Sequence, residues 1–175
     1  MATFFKRKAT VVALAVLSLT VAGGGIAVAA QPGAKPDRTA VRQGEQPVVT
    51  AAERQAARAA MGATVAPPAP GTVAWAVVSS TGVLLQHSAN VVSAFRFPTS
   101  GWPDTKPGQF QVLLDYDVSQ KAYVATVGTN DQVNVPPSGE IQVAPRLQTP
   151  NAVFVQTRTS DGIYSPRPFH LVIAN

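Results

Sequence analysis

The sequence predicts an all-β fold, an antiparallel β-sandwich of about seven or eight strands, carried behind a signal peptide, a polar segment and one short helix. Three observations carry this reading. From Gly71 to Asn175, β-branched and aromatic residues alternate with polar ones at period two between turn signals. That region shows no apolar repeat at helical spacing. It is also the size of one ordinary domain, and strands joined by turns without crossover helices pack sheet on sheet.

The segment from Met1 to Ala30 reads as a secretory signal. Lys6, Arg7 and Lys8 form a positive cluster, an apolar run follows from Ala9 to Ala22, and Ala27-Val28-Ala29-Ala30 offers small residues for cleavage after Ala29 or Ala30. An uncleaved membrane anchor is the alternative, since Ala9 to Ala30 is long enough to span if helical. Gly23, Gly24 and Gly25 weigh against a continuous helix. The expected location is therefore secreted or extracellular, with membrane contact only through the signal during export. The chain has no Cys for a lipid anchor and no twin-arginine pair.

Of 14 Lys plus Arg residues, three leave with the signal, so 11 face 9 acidic residues, a net +2. Beyond Lys8 the basic residues are scattered singly, which excludes a nucleic-acid footprint. Without cysteine, an exported domain must bury enough apolar surface on its own or associate with copies of itself.

Residues 31–49 are polar and Pro/Gly-bearing and read as disordered. Residues 50–62 read as a helix. Thr50-Ala51-Ala52-Glu53 is a capping box, the segment holds six alanines (Ala51, Ala52, Ala56, Ala57, Ala59 and Ala60), and Gly62 stands where a left-handed C-cap would fall. Its apolar face is only alanines and Met61, which predicts a short surface helix, or a small-residue contact with a partner helix. Residues 63–71 form a Pro/Ala linker.

Strands are predicted over Val73–Ser79, Val83–His87, Asn90–Phe95, Gln109–Tyr116, Lys121–Val127, Glu140–Ala144, Ala152–Thr157 and Pro168–Ala174. Within Gln109–Tyr116, Phe110, Val112, Leu114 and Tyr116 share one face, and Leu113 breaks the pattern on the other. Val153-Phe154-Val155 and Leu171-Val172-Ile173 are apolar on both faces, so these strands are central, or another subunit covers them.

Organised chemistry is sparse. His87 and His170 fall inside strands, and no G-x-S-x-G elbow occurs. No catalytic residue, metal ligand or cofactor is assigned. Asp115 and Asp117 share one face of a strand end; a Ca²⁺ seat and a solvated strand end are the two readings. The loop after Phe95 is the binding candidate. Arg96, Phe97 and Trp102 put a cation and aromatics on a predicted loop between strands, placed to stack on a sugar or a partner surface. The competing reading folds Trp102 back as a lid over the sandwich end.

The blocks Trp75-Ala76-Val77-Val78, Phe110-Gln111-Val112, Ala122-Tyr123-Val124-Ala125-Thr126-Val127-Gly128, Val153-Phe154-Val155-Gln156-Thr157 and Phe169-His170-Leu171 carry a family resemblance. The chain resembles small secreted β domains of uncharacterised function from actinomycete bacteria and, more distantly, the distal β domains of phage tail fibres. The resemblance implies a non-catalytic module, and the tail-fibre likeness implies a trimer. Relatives carry two cysteines where this chain has Lys121 and Asn175, so the strand staple they imply is lacking here. The residues from Phe97 to Gly108 form a longer loop than in those relatives.

The expected function is an exported structural or interaction module that self-associates. A carbohydrate- or receptor-binding module using the Trp102 loop is the alternative, and a secreted hydrolase dependent on His170 is a distant third. The expected partners are thus the chain itself, a surface glycan or a surface protein.

Overall fold

The computed structural model describes residues 46–63, 66, 68–100 and 105–175. The predicted signal, most of the polar segment, part of the linker and Trp102 lie outside the described residues. One helix, α1 (Ala51–Gly62), precedes eight strands: β1 (Val73–Val78), β2 (Leu84–His87), β3 (Val91–Arg96), β4 (Gln109–Leu114), β5 (Ala122–Val127), β6 (Gly139–Pro145), β7 (Ala152–Thr159) and β8 (Phe169–Ala174). They form two antiparallel four-stranded sheets, in the orders β2-β1-β8-β5 and β3-β4-β7-β6.

The alternation read from the sequence sets the core. Phe110, Val112 and Leu114 of β4, with Val153 and Val155 of β7, face Ala74, Ala76 and Val78 of β1 and Phe169, Leu171 and Ile173 of β8. Phe110 and Phe169 meet edge-to-face across the two sheets, with ring centroids 5.2 Å apart. Each buried Val, Leu, Ile or Phe among these contributes about 1.5–3 kcal/mol through removal from water, and no disulfide assists.

Strand ends shift where backbone groups turn to residues outside the ladder. β4 stops at Leu114, because the Asp115 N–H donates to the carbonyl of Asn90 rather than to a neighbouring strand. Tyr116 therefore leaves the strand, although it stays buried, and its hydroxyl donates to Asn175 Oδ1 at 2.9 Å. Burial raises the Tyr116 phenol above its ordinary value, and burial does the same to Tyr123, whose hydroxyl donates to the Val118 carbonyl.

The helix corrects two expectations. Gly62 is its last helical residue and has no left-handed backbone; the cap is Ala63 in an extended conformation, its N–H shared by the carbonyls of Ala59 and Ala60. Nor is α1 a bare surface helix or the mate of a partner helix. Ala57 and Ala60 pack on Leu113 and Ala152, on the outer face of the second sheet. Alanines allow the close approach, and Leu113, which breaks the alternation of β4, is the residue that receives them. The predicted capping box is present: the Thr50 hydroxyl accepts from the Glu53 N–H, and a Glu53 carboxylate oxygen accepts from the Thr50 N–H.

The two-sided apolar strands are both central. β7 lies between β4 and β6, and the outward side chain of Phe154 is buried by the chain's own residues. β8 lies between β1 and β5, and its outward Val172 remains 36% exposed.

Candidate functional site

The outer face of the second sheet is polar by sequence and yet largely buried. Register places Gln142, Gln156 and Gln109 in one row across β6, β7 and β4, with Ala144, Phe154, Gln111 and Phe95 in the next. Amides in such a position must find partners. Gln156 donates to the carbonyls of Gly108 and Thr157, and Gln111 Oε1 accepts from Arg146 Nε at 2.9 Å.

Arg146 organises this face. It follows β6, is 3% exposed, and its guanidinium also donates to the Pro47 carbonyl at 2.6 Å and to Glu53 Oε1 at 3.1 Å. Phe97 lies beneath it, with Cζ 5.0 Å from the ring centroid. Burial lowers the Arg146 pKa, and the hydrogen bond and charge of Glu53 oppose that shift. One Glu53 carboxylate thus caps its helix with one oxygen and neutralises a buried arginine with the other.

Beside this buried cluster, a groove of about 920 Å³ runs along β6. Gln46, Gln120, Gln142, Gln148 and Gln156 line it, together with Arg158 toward one end. Its apolar floor includes Ala144 and Phe154. Gln148, at the lip, holds a left-handed backbone at φ 51°, uncommon for a residue with a side chain. Arg158 is oriented by Tyr164: Nη2 donates to the phenol at 2.9 Å, and Cζ stands 4.2 Å from the ring centroid. Lys106 Nζ approaches the same ring at 4.8 Å.

The residues singled out from the sequence are not brought together. Phe97 is fully buried against Phe95 and Phe154, so its ring supports the sheet face and presents no surface to a ligand. Arg96 is exposed and donates to the Ser80 carbonyl at 3.2 Å, beside the β1–β2 turn. Gly82 of that turn, at φ 92°, lies so close that an added Cβ would sit 2.3 Å from the Arg96 nitrogen. Neighbours along an extended strand point to opposite faces, and this separates the two residues. Trp102 lies outside the described residues.

The carboxylate pair also separates. Asp115 is buried and accepts from Asn90 Nδ2 at 3.0 Å, whereas Asp117 is exposed and holds the N–H and hydroxyl of Ser119. The premature end of β4 removes the shared face that the sequence suggested. Among the described residues, no group of three or more His, Asp or Glu converges as metal ligands do. His87 Nδ1 lies 2.9 Å from the Ser88 carbonyl, and His170 Nε2 lies 3.3 Å from the Thr129 carbonyl.

The glutamine groove and Arg146 were not singled out from the sequence. Each lining glutamine looks like a solvated position by itself; only the register of β6 on β7 and the approach of Gln46 to Pro145 and Leu147 make them a lining. No known family, curated protein or solved structure matches this chain.

Proposed function

We propose that the chain is an exported, non-catalytic interaction module that holds a partner in the groove along β6. One observation carries this: the groove is lined by neutral amides and two arginines, of which Arg146 is neutralised by Glu53 and Arg158 is oriented by Tyr164. That chemistry makes hydrogen bonds without an acid–base pair. The ordered charge, apolar run and small-residue site from Lys6 to Ala30 support export. No described helix is long and apolar enough to cross a membrane.

The experiment screens the full chain and a Gln142→Trp variant against a glycan array and a displayed peptide library. Gln142 is exposed on the groove side of β6, so the indole fills the groove without entering the core. At least one ligand class should bind the natural chain and lose about 10-fold or more affinity in the variant. Equal binding by both proteins, or none by either, removes the reading. A glycan hit that survives Gln142→Trp would instead favour the Trp102 loop.

A second reading, self-association, rests on the other sheet. Antiparallel sheets that face water carry polar residues there. Here Trp75, Val172 and Val124 form one outward row across β1, β8 and β5, at 38%, 36% and 68% exposure, and Val73, Ala174 and Ala122 form the next. Neither row holds a charge, so a second copy can stack on it without stranding an ion. Sedimentation at high micromolar concentration should show reversible association that Val124→Lys abolishes. A natural chain that stays monomeric there would dismiss it.

A further inference from the structure

We propose that the groove receives an extended peptide as an added strand on the open edge of β6, with a peptide carboxylate at Arg158; this rests on the groove reading above. β6 hydrogen-bonds with β7 alone, and β5 of the other sheet packs close to it without pairing. The Arg146 N–H donates to the Ala152 carbonyl at 2.9 Å, which sets the phase of the ladder. Counting back in twos, Ala144 and Gln142 turn their backbone groups toward β7. Pro145 and Val143 turn theirs outward, and both line the groove. Pro145 fits this phase, since its missing N–H lies on the side where β7 needs no donor.

The chain already shows what this edge accepts. The Gln46 side-chain amide donates from Nε2 to the Pro145 carbonyl at 3.0 Å and accepts at Oε1 from the Leu147 N–H at 2.8 Å. That two-point contact is the one a neighbouring strand's peptide group would make. Val143 offers the next rung, an N–H and a carbonyl that β7 does not use. From Gln46 toward Arg158 the edge runs the length of β6, seven residues or roughly 20 Å at about 3.3 Å per residue. Glutamine amides beside it can meet both donors and acceptors of a peptide, whatever its side chains.

Arg158 marks the far end. It stands opposite Glu140 in the ladder but makes no ion pair with it, turning instead to Tyr164. The one ion pair among the described residues is Arg146 with Glu53. Arg158 Nε is buried with no hydrogen-bond partner, and Lys106 adds a second positive charge at the same tyrosine. A carboxylate arriving there meets a guanidinium whose orientation is already set, the geometry in which charge-assisted hydrogen bonds are strongest. Known peptide-binding modules use the same combination of an open sheet edge for affinity and a side-chain site for selection.

The test pans a phage-displayed library of linear dodecamers against the full chain and titrates the selected sequences as synthetic peptides. Selected peptides should share an acidic side chain or depend on a free C-terminus. Asp/Glu→amide and C-terminally amidated peptides tell these apart. Val143→Pro, which removes the outward N–H and also trims a side chain packed on the core, should weaken binding about 10-fold, while Val143→Ala, which trims the side chain alone, stays within about 2-fold. Arg158→Gln should cost about 10-fold for carboxylate peptides and leave their amide counterparts unchanged. If circular dichroism shows that Val143→Pro does not fold, peptides N-methylated one residue at a time serve instead. Losses at alternate positions support strand addition, and losses without that period overturn it. A library that yields no binder, or binders indifferent to Val143→Pro, overturns it too. Should Gln142→Trp still block a glycan in that case, the groove reading survives and only the peptide is lost; should it block nothing, both fall.

Discussion

Glu53→Ala is expected to lower the unfolding free energy by about 3–5 kcal/mol in urea titration. The substitution strands the Arg146 guanidinium at 3% exposure, with the Gln111 amide and the Pro47 carbonyl as dipolar partners but no countercharge. It also removes the capping-box acceptor for the Thr50 N–H, which costs on the order of 1 kcal/mol by itself. An exposed ion pair would be worth far less, roughly 0–1 kcal/mol, so the size of the loss separates a buried fastening from a surface one. The double variant Glu53→Leu, Arg146→Met should recover most of the loss, because no uncompensated charge remains. A cost under about 1 kcal/mol for Glu53→Ala would mean that α1 does not hold its place on the sheet through this pair.

Phe97→Ala is expected to cost about 3–5 kcal/mol, the range for deleting a buried aromatic ring. The ring has no exposed surface, packs edge-on to Phe95 at 4.9 Å, and carries the Arg146 guanidinium on its face. Its loss should therefore loosen the arginine cluster as well as open a cavity. Phe97→Leu should cost clearly less, since most of the volume is kept. Thermal and urea unfolding decide the matter: a ring that served a ligand from a loop would leave stability within about 0.5 kcal/mol on truncation.

Periodicity carried the strands. Phe110, Val112 and Leu114 alternate with Gln109, Gln111 and Leu113 because one face of β4 meets the other sheet, and any chain with that period must turn one face inward. The capping box likewise showed where α1 begins, since Thr50 and Glu53 meet through contacts three residues apart. What α1 rests on was not legible. Ala57 and Ala60 look like generic helix formers until Leu113 and Ala152 are beneath them, and Arg146 looks like one more scattered cation until Glu53, 93 residues earlier, meets it.

The glutamine groove follows the same division. Each of Gln142, Gln148 and Gln156 reads as an ordinary solvated position, and the pattern says nothing of their company. Period, caps and turns act over a few residues and are written into the chain directly, so the all-β class, the eight extended segments and the start of the helix could be read in advance. Pairing partners, the buried ion pair and the open edge of β6 depend on contacts between distant segments. Their free energy exists only once two sheets have packed and brought those segments within a few ångströms of each other.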